Sequence, residues 1–144
     1  MVYLEDSGVE IRGLRFWGSP WQPEFCNWAF NLPRGAELAR KWALIPADTD
    51  VLVTHGPPRG ILDRTMGGDD AGCEALAAEL SFDSACGLAQ DKQGREGHGR
   101  EKTFSRPCLR GRLKPRVHVF GHIHEAYGVV ERGGTAYVNA SICT

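Results

Sequence analysis

Two short aliphatic runs constrain the fold of this chain most. Val51-Leu52-Val53 leads into Thr54-His55-Gly56-Pro57-Pro58, and Val117-His118-Val119-Phe120 leads into Gly121-His122-Ile123-His124. β-Branched and aliphatic residues bounded by glycine and proline read as strands. In each motif the glycine turns the backbone away as the strand ends and leaves an imidazole at its carboxyl end, where open α/β sheets place their ligand crevice. Position as much as residue type marks His55, His122 and His124 as candidate metal ligands.

The bulk properties set the limits within which that reading holds. At 144 residues, 42% hydrophobic and 24% charged, the chain has the length and composition of one soluble globular domain. No window approaches the 18 or more apolar residues of a membrane span, and the N-terminus lacks the basic and hydrophobic regions of a signal peptide. The expected location is therefore intracellular and cytoplasmic. Cys26, Cys73, Cys86, Cys108 and Cys143 are widely spaced with no C-x-x-C pair, and are expected to be free thiols.

The formal charge of -1 hides a strong asymmetry: Lys92 to Arg116 carries nine basic residues against Glu96 and Glu101, a net of +7 against -8 elsewhere. Such a block could attract nucleic acid. Phe104 is its only ring, however, so a solvated loop is expected rather than a stacking platform, and an RNA-binding module ranks last among the functional readings.

Along the chain, Val9 to Arg12 and Leu14 to Gly18 read as short strands ending at Ser19-Pro20. The rings of Trp21, Phe25, Trp28 and Phe30 follow at mixed spacing, which favours closing a core edge over lining a pocket. Leu38, Trp42 and Ile45 predict a helix over 35–44 stopped by Pro46. Thr49 to Thr54 is expected to be a buried strand. Cys73, Leu76 and Leu80 predict a helix over 69–80 with an acidic start. Periodicity then vanishes over 81–111, which is expected to lack fixed structure. A strand through Phe120 and a hairpin, Tyr127 to Val130 and Thr135 to Ala140 around Gly133-Gly134, complete the pattern.

His122 and His124 are one residue apart, so in extended backbone their rings share a side with Cα atoms roughly 6.5–7 Å apart, a spacing that suits two neighbouring cations. His98, in a Gly-rich polar stretch, is expected to be solvated. His118, alternating with Val117 and Val119, is expected to be a packed strand histidine rather than a group that orients a ligand.

Taken together, Thr54-His55-Gly56-Pro57-Pro58 and Gly121-His122-Ile123-His124-Glu125-Ala126-Tyr127-Gly128 resemble the last two metal motifs of calcineurin-like metallophosphoesterases, and most closely the metallophosphoesterase domain-containing proteins. Gly18 to Pro23, Trp28 to Gly35, Asp50 to Pro58 and Phe120 to Thr144 all look like that subgroup. The resemblance implies an α/β fold: part of a sandwich of two β-sheets flanked by helices, with 1–144 its C-terminal part, the N-terminal half missing, and about 81–110 an insertion of the kind a translated intron would leave. It further implies that His55 and His122 bind one divalent transition metal (manganese, iron or zinc) and His124 a second. The implied activity is hydrolysis of a small phosphodiester or nucleotide, cyclic nucleotides being the substrate class.

The family's D-x-H, bridging G-D and G-N-H motifs are absent, and with them the catalytic histidine, so no catalytic residue is assigned here. The expectation is a truncated or alternatively spliced isoform that is inactive or impaired and binds at most one metal. The alternative is a non-catalytic metal- or nucleotide-binding remnant.

Overall fold

The computed structural model describes residues 1–80 and 111–142. The expectation of an unstructured insertion at 81–110, the reading of His98, most of the basic stretch, and Cys86, Cys108 and Cys143 lie outside the described residues. Cys26 and Cys73 are free thiols.

A six-stranded mixed sheet forms the frame. Strand β1 (Ser7–Ile11) turns back through Arg12 and Gly13, both at positive φ, into β2 (Leu14–Ser19). A two-residue pair, β3 (Gln22–Pro23) and β4 (Asn31–Leu32), sits apart and brackets the aromatic loop. The main sheet continues with β5 (Val51–Thr54), β6 (Val117–Phe120), β7 (Gly128–Arg132) and β8 (Thr135–Asn139). Its order is β1-β2-β5-β6-β8-β7: β2, β5, β6 and β8 run parallel, and the edge strands β1 and β7 are antiparallel hairpin partners.

Two helices cover one face. In α1 (Ala36–Trp42) Leu38 and Trp42 are buried, and the next turn adds Ile45 before Pro46 stops the helix, as the spacing predicts. Carbonyls at the end of α1 and just beyond it are taken up by one guanidinium: Arg112 donates Nη2–H to Trp42 O at 2.8 Å and Nη1–H to Ile45 O, while its Nε–H meets Glu79 at 3.0 Å. That arginine joins the end of α1 to α2 (Glu74–Leu80), whose Leu76 and Leu80 are buried.

Helix α2 starts later than the acidic run at Asp69-Asp70 predicts, because the loop before it uses those groups. Thr65 N–H donates to Asp69 O, Asp69 N–H to Thr65 Oγ1, and Asp70 pairs with Arg59 and Arg64. Asp63, buried, accepts from the amides of Gly60 and Gly72. A Cβ on Gly72 would lie 2.6 Å from Pro58 O, so only glycine fits there.

The core lies between helices and sheet: Leu38, Trp42, Ile45, Leu76 and Leu80 pack against Leu52, Phe120 and Tyr137. The register puts Phe16, Val51, Val53, Val117, Val119 and Val138 on the other face, and none of these belongs to the core. Val53 is 39% exposed. The expectation that 49–54 is a buried strand therefore holds on one face only. Parallel sheets normally have both faces covered, and here the aliphatic run serves two faces of which one is open among the described residues.

Candidate functional site

Strands β5 and β6 end side by side, and their motifs are joined directly: Gly121 N–H donates to His55 O at 2.9 Å. Thr54 shapes the first turn. Its hydroxyl donates to Gly56 O at 2.8 Å, so its contact with His118 Nε2 at 2.9 Å is one in which the imidazole N–H donates. His118 is thereby fixed as the Nε2–H tautomer. Its ring is fully buried, its Nδ1 has no partner among the described residues, and burial pushes its pKa down to about 3. It is a packed histidine, as the strand alternation predicts, and its partner is the residue before His55.

The second turn is tighter than an extended G-H-x-H would be. Ile123 N–H donates to Gly121 O at 2.9 Å across His122, whose φ is +74°. This is a γ-turn with positive φ at its centre, a rare and strained form, and strain of this kind tends to gather at functional sites. The chain then enters a 3-10 turn, His124–Ala126. The extended geometry expected for His122 and His124 is therefore not what the chain adopts, because Gly121 and the turn at His122 rotate the backbone between them.

The turns bring His55 and His122 together. His55 Nε2 lies 3.2 Å from His122 Nδ1, with ring centroids 5.0 Å apart. His124 is exposed and lines the same cavity, of about 380 Å³, with Val53, Thr54, Gly121 and Ser141. His122 Nε2 is buried with no partner among the described residues. Burial, reinforced by the neighbouring imidazoles of His55 and His124, lowers the His122 pKa to about 4, and burial lowers that of His55. Both rings are thus held in the neutral form that binds metal.

Three rings of the aromatic loop pack on this pair. Phe25 and Trp28 meet His122 edge to face at 5.0 and 5.8 Å, and Phe30 tilts over His55 at 5.5 Å. The loop is held by amide pairs: Gln22 donates to Asn31 Oδ1 at 3.0 Å, and Asn31 donates to Phe25 O at 3.2 Å. Positive φ at Cys26, Asn27 and Phe30 bends it over the site. Only Trp21 follows the core-edge expectation, packing against the core and donating to Asp6 at 2.8 Å. A pairing of β3 with β4 that lifts the intervening rings leaves no periodicity in sequence, so their role was not legible there.

The donor set fits one edge of a metal site and does not fit a metal pair. Two neutral imidazoles converge, one with a bare buried nitrogen. Yet among the described residues no group of three or more His, Cys, Asp or Glu side chains could hold a metal ion. The aspartates nearest in sequence are committed elsewhere: Asp50 accepts from Arg15 N–H, Asp48 pairs with Arg15, and Asp63 holds the loop before α2. No described helix is long and apolar enough to cross a membrane.

No family model matches the chain. Among curated proteins it is 46% identical over 146 residues to metallophosphoesterase domain-containing protein 1 of Homo sapiens and of Mus musculus, an alignment covering 99% of this chain and 35% of theirs. It is 39% identical over 142 residues to a UPF0046 protein of Caenorhabditis elegans, covering 99% of this chain and 28% of that one. The chain thus spans about a third of the length of the curated relatives it matches. The resemblance read from the two histidine motifs extends along the whole chain.

Proposed function

Starting from a chain related along its length to metallophosphoesterase domain-containing proteins, we propose that it supplies the histidine face of a metal-dependent phosphoesterase site. The observation that carries this reading is the convergence of His55 and His122 from two adjacent strand ends, both rings neutral and His122 Nε2 unpartnered. In the complete protein these two would bind one divalent transition metal and His124 a second, with manganese, iron and zinc all suited to imidazole and carboxylate ligands. Metal bound there would supply Lewis-acid activation of water toward a phosphoryl group. The contribution of this chain is to hold its imidazoles neutral, to set their approach through the turn at His122, and to pack Phe25, Trp28 and Phe30 against them. Phosphodiesters are the proposed substrates, cyclic nucleotides among them.

The open Phe16, Val51, Val53, Val117, Val119 and Val138 face supports a related proposal. In the complete domain a second sheet covers it, giving a two-sheet sandwich of which 1–144 is one part, interrupted by an insertion at about 81–110. The carboxylates that the described residues do not gather would come from that other part, so this chain alone does not hydrolyse diesters above a metal-only control. A non-catalytic metal- or nucleotide-binding role is the second reading, favoured by the convergence of two imidazoles without a third ligand among the described residues.

The test is to join the chain, without 81–110, to the segments that precede the matched region in its relatives, and to assay bis-p-nitrophenyl phosphate with manganese. The restored protein should turn over, and His124→Ala should lower its rate at least about a hundredfold. Robust turnover by the 144-residue chain, or indifference of the restored protein to His124→Ala, would overturn the assignment.

A further inference from the structure

A second buried polar atom without a partner lines the histidine cavity, and nothing assigned so far uses it. Ser141 is only 8% exposed, and its Oγ has no hydrogen-bond partner among the described residues. The residue is nonetheless held firmly. Its amide donates to Asn139 Oδ1 at 3.0 Å, and Asn139, itself fully buried, donates to Ile123 O at 2.8 Å and Leu62 O at 3.2 Å. Ala140 N–H donates to Phe120 O at 2.7 Å. Backbone 139–141 is thereby bound to the strand end and turn that carry His122.

The hydroxyl stands where an added atom on Gly121 would come within 3.3 Å of it and 3.8 Å of His55 O, which places it at the meeting point of the two histidine turns. Any side chain at position 121 would crowd the hydroxyl. A serine hydroxyl donates one hydrogen bond and accepts two, and a buried one left unmatched is rare enough in folded proteins to need a reason. A stabilising role within the fold does not supply it, since the side chain bonds to nothing described. An oxygen of a bound ligand does.

We propose that Ser141 is a substrate-binding residue of the histidine cavity, its hydroxyl donating to an oxygen of a phosphoryl group bound beside His122. The proposal rests on the phosphoesterase reading for its ligand class but not on metal occupancy, because the hydroxyl is built into the chain itself. A hydrogen bond to a charged oxygen is shorter and stronger than a neutral one, so removing it should weaken binding at least about tenfold.

The experiment titrates inorganic phosphate and, separately, dimethyl phosphate into the 144-residue chain in the presence of chelator, following the backbone amide signals of Gly121 and Ser141 by NMR. Saturable binding of either probe is expected, its Kd rising at least about tenfold in Ser141→Ala. The first probe reports a free phosphate site and the second a diester site. The melting temperature of Ser141→Ala should be unchanged or higher, since no described hydrogen bond is lost, and this separates a binding role from a structural one. Zinc affinity, measured apart, should be the same in both proteins, so a failure of the metal reading is distinguishable from a failure of this one. Equal Kd values in the two proteins, no saturable binding of either probe, or a clear loss of stability in Ser141→Ala would overturn the proposal.

Discussion

Acidification should destabilise this protein through His118, and the size of the effect can be worked out. The ring is fully buried, donates through Nε2 to Thr54, and has its pKa lowered by burial to about 3 from 6.5. The folded state therefore refuses a proton that the unfolded chain accepts. The stabilisation is fully present above about pH 6.5 and is lost as the pH falls toward 3, at up to about 1.4 kcal/mol per unit. Between pH 7.5 and 5, where the unfolded imidazole becomes almost wholly charged, His118 alone should remove about 2 kcal/mol, a large part of a typical domain's stability.

His55 and His122 act in the same direction, so the effect is isolated by comparison with His118→Gln, which keeps an amide donor toward Thr54 and does not titrate. Urea unfolding at pH 7.5, 6.5, 5.5 and 5 should show the stability difference between the two proteins shifting by about 2 kcal/mol in favour of His118→Gln as the pH falls. Parallel curves would refute the claim that His118 is buried and neutral.

Other outcomes follow from single contacts. At His122, φ +74° costs an L-residue about 1–2 kcal/mol and glycine almost nothing, so His122→Gly should be the more stable of the pair His122→Gly and His122→Ala, by about 1 kcal/mol in urea unfolding. Equal stabilities would remove the γ-turn from the account. Arg112→Met should lose about 1.5–3 kcal/mol, because it strips the guanidinium from the carbonyls of Trp42 and Ile45 and from Glu79. Leu52→Ala should cost about 2–5 kcal/mol, whereas Val53→Thr, one residue along on the open face, should stay within about 0.5 kcal/mol; similar losses at both positions would mean that the open face is covered in this chain.

Legibility in the sequence followed the range of the interactions concerned. Val51 to Thr54, Val117 to Phe120 and the Gly133-Gly134 hairpin announce their strands because strand period and turn glycines are local signals. Leu38, Trp42 and Ile45 announce α1 for the same reason. The start of α2 lies beyond the acidic pair Asp69-Asp70 because the backbone of Asp69 bonds to Thr65 and the carboxylate of Asp70 pairs with Arg59 and Arg64 within the preceding loop.

At the site, residue type and strand position sufficed to single out His55 and His122. Their actual contact depends on a γ-turn that no local preference encodes. The packing of Phe25, Trp28 and Phe30 on the imidazoles depends on the Gln22–Asn31 amide pairing across nine residues. Ser141 carries no motif at all, and only the missing hydrogen bond on a buried hydroxyl draws notice to it.

The central claim is that this chain holds one imidazole edge of a metal site, completed by groups outside it. The most direct measurement is calorimetric titration of zinc into the 144-residue chain, His55→Ala and His122→Ala. The account predicts at most one weak equivalent for the unsubstituted chain, lost in either variant, since two imidazoles without carboxylates neither fix nor neutralise a metal pair. Two tight equivalents, or one that survives both substitutions, would contradict it.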